Sequence, residues 1–327
     1  MSRLDAGPES IGDAAECSGP MSLLLESREV PLGGVRAMHV YRALPQRGLP
    51  MVGAWCFLDR FGPQAVRMRV EPHPHVGLQT VTWPLLGEVH HRDSIGSDVL
   101  VTRGELNLMT SGAGISHSEY SPGDGEIEVD ALQLWVALPD AARKMSPGFE
   151  QHTELPRLSS PGLEVLVVLG TYGDTTSPAT AHTPIVGAEV RIAAGATVRL
   201  PLNQHWEHAL LGVHGAAAVE ASTEPVRTEP VRIENGALLY LGIEREYVDV
   251  HSEHGATLFL LGGEPFAEEI VMWWNFVART HEEIVEARED WERGAPRFGH
   301  VIGHGPERIP APPMPGVRLT TRRRRLG

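Results

Sequence analysis

Three histidines and one glutamate stand in two pairs, His73 with His75 and His117 with Glu119. Within each pair the spacing is i, i+2, and alternate side chains on a β-strand share one face. Each pair therefore reads as two ligands aimed into one cavity, on two strands that the fold must bring together. Imidazole and carboxylate donors suit Fe, Mn, Co, Ni, Cu or Zn. Three neutral imidazoles and one carboxylate would leave a divalent ion with a net charge of about +1 and, if six-coordinate, roughly two open positions. A closed structural zinc site more often uses thiolates, and neither Cys17 nor Cys56 has the neighbours for one. The set points to an accessible metal, with Fe(II) the first expectation. Glu119 is the one ligand able to act also as a base.

The surroundings refine this expectation. His90 and His91 are adjacent in sequence, so on a strand only one of them can face the cavity. That residue is expected to support a ligand rather than to bind the metal. Gln79 follows His75 by four residues, and parity places it on the same face.

The elements that must position these residues read as short strands. Residues 36–41, 52–58, 78–86, 88–92, 106–109, 115–120 and 131–138 are apolar or rich in β-formers, with turn signals between them. Residues 59–63 read as a turn, and Pro84 marks a strand end, an edge or a bulge. Residues 139–160 read as a connection, followed by a second strand-rich block. Many short strands at this spacing predict an all-β sandwich or barrel, and two blocks of similar size predict a duplicated domain. Near the end, Thr280 and Glu283 form a capping box for a helix over residues 282–293, which Gly294 stops.

Composition sets the outer limits. A chain of 327 residues with 42% hydrophobic content can bury a sizeable core. A formal net charge of −14 disfavours a nucleic-acid binder, since phosphate affinity comes from clustered Lys and Arg. The basic run at residues 322–325 reads as a solvated tail. Residues 1–20 read as a disordered leader without the apolar core of a signal peptide. No apolar run approaches a membrane span. With no disulfide framework implied, a cytoplasmic setting is expected.

Longer stretches carry a resemblance. HPHVGLQTVTWPLLGEVHHRDS, GELNLMTSGAGISHSE and ALQLWVALP resemble the N-terminal domain of the pirin family, within the cupin superfamily. LLGGEPFAEEIVMWWNFVARTHEEIVEARED resembles the family's C-terminal signature. The resemblance spans roughly residues 25–293. It implies a bicupin: two antiparallel jelly-roll β-sandwiches packed face to face, with a short C-terminal helix. The implied division is an N-terminal cupin over 21–140, a C-terminal cupin over 141–293 and a Pro/Gly-rich basic tail over 294–327. The family's Fe(II)-type ligand positions fall on His73, His75, His117 and Glu119. The implied activity is ring-opening 2,3-dioxygenation of quercetin or a similar chelating enol. The implied alternative is a metal-dependent regulator that binds a transcription factor or a metabolic enzyme.

Two departures stand out. Gln79 replaces a glutamate common in cupins, and Trp273-Trp274-Asn275-Phe276 replaces a segment of different character and is expected to pack structurally. In the second half, His205, His208, His251 and His254 lack the paired strand spacing and are expected to be exposed loop residues.

Overall fold

The computed structural model describes residues 19–32, 38–221 and 229–321. Most of the expected leader, Cys17 and the basic run at 322–325 lie outside the described residues. The architecture is all-β, with the helix His281–Glu292 near the end.

Four sheets make two sandwiches. In the first, a seven-stranded sheet runs in the order Gly148–His152, Leu106–Thr110, Leu78–Leu86, Ile127–Ala137, Trp55–Val66, Met38–Leu44, Arg28–Leu32. It faces a four-stranded sheet ordered Arg69–His75, Ile115–Tyr120, Val89–Asp93, Asp98–Val101. The second sandwich repeats the plan. A large sheet containing Leu163–Tyr172, Ile185–Ile192, Ala256–Gly263 and Glu207–Gly215 faces a four-stranded sheet built from Ala196–Pro201, Tyr247–Ser252, Ala217–Glu220 and Val231–Ile233.

The two large sheets pack against each other. Trp55, Leu58, Val81, Trp83 and Leu134 of the first meet Val168, Leu211, Tyr240, Phe259 and Leu261 of the second in one buried cluster. Burying a side chain of this size contributes roughly 1.5–3 kcal/mol, so this seam alone ties the halves together strongly. Polar ends within it are matched. Trp55 Nε1 donates to the Val186 carbonyl at 3.0 Å, Trp83 Nε1 to Glu189 at 2.9 Å, and Gly53 N–H to Glu207 at 2.7 Å.

Several expectations are corrected. The turn expected at 59–63 is the middle of the twelve-residue strand Trp55–Val66. The ladder shifts register near Gly62, whose φ of +105° and missing Cβ let the Val129 carbonyl approach, so the chain bulges instead of turning. Pro84, by contrast, sits at a bulge, one of the readings expected for it, opposite the register shift at Asp130/Ala131.

The strand Pro20–Glu26 pairs with Ala237–Gly242 and so edges the second sandwich, although the first was expected to begin at residue 21. Within 139–160, Gly148–His152 completes the first large sheet and Arg157–Ser160 joins the second. Thr280 caps the helix by accepting from Glu283 N–H, but Glu283 Oε2 accepts from Arg279 N–H, not from Thr280. Residues after the helix lie across the first sandwich: Ser116 Oγ donates to the Phe298 carbonyl at 2.8 Å, and Ile309 N–H to the Pro72 carbonyl at 2.8 Å.

Candidate metal centre

The strands Arg69–His75 and Ile115–Tyr120 are antiparallel neighbours with His117 opposite His73 and Ile115 opposite His75. Strand parity then sorts their side chains. Ser116 and Ser118 face the C-terminal segment, while His73, His75 and His117 turn inward and lie 7%, 2% and 1% exposed. One nitrogen from each of these three imidazoles lies within 4.8 Å of the others. Glu119 belongs to a second such grouping, with His91 and His117. The expected four thus fall in two overlapping groups that share His117, with Glu119 grouped with His91 and not with His73 and His75. The Glu119 carboxylate accepts from Thr82 Oγ1 at 3.2 Å. Between His117 and Glu119 the ladder to Arg69–His75 shifts register, whereas the ladder to Val89–Asp93 does not.

The orientation of each ring is fixed from behind. A carbonyl can only accept, so the ring nitrogen facing it must carry the proton. His73 Nδ1–H donates to the Glu71 carbonyl at 2.9 Å, and His75 Nδ1–H to the Asn275 carbonyl at 3.2 Å. His117 Nδ1 faces His91 Nδ1 at 3.4 Å, and His117 Nε2 is buried without a hydrogen-bond partner among the described residues. An orphaned buried nitrogen costs about 1–3 kcal/mol, and a cation at that point would relieve it. Desolvation, followed by the nearby His73, holds the His75 and His117 pKa values well below the usual imidazole range. Both rings are therefore neutral at pH 7 with a lone pair to give. Two neutral imidazoles oriented from behind, a third beside them and a carboxylate at the rim fit a divalent transition metal.

His91 is the inward member of its adjacent pair, 2% exposed and stacked on Phe149, whereas His90 turns to Asp98. Gln79 does not follow parity. Gly77, at φ +72°, breaks the strand where the chain crosses from the small sheet to the large one. Parity restarts there, and Gln79 bonds Thr110 and the Thr180 carbonyl of the second half. His205, His251 and His254 are exposed as expected, but His251 stands in the strand Tyr247–Ser252 and not in a loop. His208 is buried in the strand Glu207–Gly215, and its pKa is pushed down to about 4 by desolvation.

Three features were not anticipated. The Trp273–Phe276 segment packs structurally, with Trp273 and Phe276 among buried apolar side chains, but it also supplies the Asn275 carbonyl behind His75. No side-chain pattern announces a main-chain acceptor. A row of polar residues, Asp59, Gln133, Thr82 and Asn107, runs across the first large sheet in direct register. Asn107 is 2% exposed, and neither amide atom has a partner among the described residues. Beside the row are flat walls: Trp135 lies 5.2 Å from the His75 ring and stacks on Phe57 at 4.0 Å. Glu119 and Gln133 are partly exposed, so the cavity opens on their side.

The Pirin family pattern matches residues 36–136, and that of the Pirin C-terminal cupin domain matches residues 187–299. A candidate quercetin 2,3-dioxygenase of Pseudomonas aeruginosa is 39% identical over 293 residues, covering 88% of this chain and 89% of the relative. A pirin-like protein of Caulobacter vibrioides is 32% identical, covering 89% of this chain and 99% of its own. The crystal structure of a quercetin 2,3-dioxygenase from Acinetobacter baumannii superposes with a TM-score of 0.84 at 38% identity, over 91% of this chain and 97% of that one.

Proposed function

The chain belongs to the pirin family, and from that premise we propose that its first sandwich is a divalent-metal centre, Fe(II) by preference, which opens a flavonol-like enol with O₂. The observation that carries the reading is the inward convergence of His73, His75 and His117, with Nδ1–H of two rings tied back to carbonyls and His117 Nε2 left bare. Glu119 completes the set from the rim. The names of the Pseudomonas and Acinetobacter relatives support the substrate class.

When bound, such a metal supplies redox chemistry toward O₂ and polarises a chelating pair of oxygens. The chain supplies the rest. His75 and His117, neutral through burial, give lone pairs without first losing a proton. Glu119, whose carboxylate accepts from Thr82 Oγ1, is the carboxylate placed to take the proton of the substrate hydroxyl. Trp135 and Phe57 form an apolar flank that suits a planar aromatic ring and excludes water.

The test is O₂ uptake together with loss of flavonol absorbance, using iron-loaded protein and quercetin. Turnover that disappears in Glu119→Ala is expected. A wild-type protein that keeps its metal and consumes no O₂ would overturn the enzymatic reading, and the metal-dependent regulator would then take its place.

A further inference from the structure

The three inward histidines are not held alike. His73 and His75 each give the Nδ1 proton to a main-chain carbonyl, Glu71 and Asn275 respectively. Among the described residues, His117 has no carbonyl behind it. Its Nδ1 faces another imidazole nitrogen, His91 Nδ1, at 3.4 Å. Two imidazole nitrogens in contact need one donor and one acceptor, so a single proton must lie between them. Which ring owns it decides whether His117 Nε2 carries a lone pair or a hydrogen.

The far side of His91 settles the ownership. His91 Nε2 lies 3.3 Å from Asp93 Oδ2. Asp93 is fully buried, and its Oδ1 is already engaged by the N–H groups of Ile95 at 3.0 Å and Ser97 at 2.9 Å. A carboxylate only accepts, so His91 must hold its proton on Nε2 and offer Nδ1 as an acceptor. His117 then keeps its proton on Nδ1, and its Nε2 lone pair points into the site. The strands dictate this arrangement: His117 lies opposite Asp93 and Glu119 opposite His91, so parity puts all four on the inner face. Stacking on Phe149, with ring centroids 4.5 Å apart, sets the plane of His91.

His91, His117 and Glu119 also have ligand atoms within 4.8 Å of one another. His91 is nonetheless badly placed to ligate: one nitrogen is committed to Asp93, and the other faces the protonated edge of His117, away from His117 Nε2.

We propose that Asp93 and His91 form an ordered relay that fixes the tautomer of His117 and places a negative charge behind this ligand, where His73 and His75 have neutral carbonyls. Asp93 and His91 are positioning residues. The proposal rests on the reading that His117 binds the metal.

The relay makes an unusual demand on mutants. In Asp93→Asn, the amide donates to His91 Nε2, which drives the His91 proton to Nδ1. His117 must then accept on Nδ1 and carry its own proton on Nε2, where it blocks the metal. The chelator-competition affinity for Zn(II) is expected to fall about ten- to hundredfold. Adding His91→Gln restores an acceptor, the Gln carbonyl, behind His117 Nδ1. The double variant should recover most of the loss, although it is more heavily substituted. ¹⁵N NMR of the zinc-loaded imidazoles should show Nδ1–H on His117 in the wild type and the double variant.

Unchanged affinity in Asp93→Asn would overturn the relay. So would a double variant as weak as Asp93→Asn alone, since that outcome marks Asp93 as merely structural. Thermal midpoints of all variants separate unfolding from loss of metal. His117→Ala separates the premise from the proposal: if it retains full zinc, the ligand assignment itself falls, whereas zinc loss there with an unaffected Asp93→Asn removes the relay alone.

Discussion

The two sandwiches share a frame and differ in what fills it. Across the large sheet of the first, the register runs Arg42, Asp59, Gln133, Thr82, Asn107. Across the second it runs Val167, Ala188, Leu260, Leu210, Leu239. The small sheets differ in the same way: His73, His75, His91, His117 and Glu119 stand in one, while Val198, Leu200, Val219, Val248 and Val250 stand in the other. Among the described residues, both groupings able to hold a metal lie in the first sandwich. The sandwich topology thus supplies two interiors, and side-chain rows decide which becomes a core and which a cavity. A filled interior gains packing and transfer energy. A polar one gives that up and keeps donors and acceptors available.

The sharpest break of this contrast is His117→Ala set beside His208→Gln. Metal analysis should fall from roughly one ion per chain to almost none in the first and stay at the wild-type level in the second. Equal losses would mean that the sandwiches are not distinct in this respect. Next in size, Leu260→Asn places an amide in the filled interior and is expected to cost about 3–5 kcal/mol by urea denaturation. A cost below about 1 kcal/mol would show that this interior is not a close-packed core.

Acid separates the two kinds of buried histidine. His208 has a folded pKa of about 4 against an ordinary 6.5, so the unfolded chain takes up its proton first. Its contribution is fully present above pH 6.5 and is lost as pH falls toward 4. The loss amounts to about 3 kcal/mol, an order-of-magnitude figure. Denaturation of metal-free protein at several pH values should show this slope, and His208→Gln should remove its share while leaving that of His75 and His117, whose shifts have the same sign. The smallest effect has the opposite direction. Asn107→Leu replaces an unpartnered buried amide by an apolar group of similar size and should raise stability by about 1–2 kcal/mol, read as a higher Tm. A fall would show that the amide is satisfied within the cavity.

The shared face of His73 with His75, and the placing of His117 near Glu119, were legible because strand parity is local and needs only the alternation of one strand each. The same rule allowed only one of His90 and His91 to face inward, without saying which; the register with His117 and Glu119 makes it His91. Gln79 failed it because Gly77 restarts the alternation, and a glycine gives no warning of which side the next strand will show. The polar row from Asp59 to Asn107 was hidden for another reason. Its members come from four strands, and register between strands is a tertiary fact. The Asn275 carbonyl was hidden most completely, since every residue but its position in space is equivalent as a main-chain acceptor. The duplicated frame itself came from turn spacing and from family resemblance, while the exchange of edge strands between halves came from neither.

That exchange has a consequence for timing during synthesis. The last expected ligand, Glu119, precedes Asn275 by 156 residues (275 minus 119). At about 5–20 residues per second, a ribosome needs roughly 8–30 s to cover that distance. Over this interval the nascent first half carries its histidines and glutamate, but His75 has only water behind its Nδ1. The Asn275 carbonyl, the Val277 N–H on Val76 and the segment over Ser116 arrive together near the end of translation. The backing of His75 is thereby reserved for nearly finished chains.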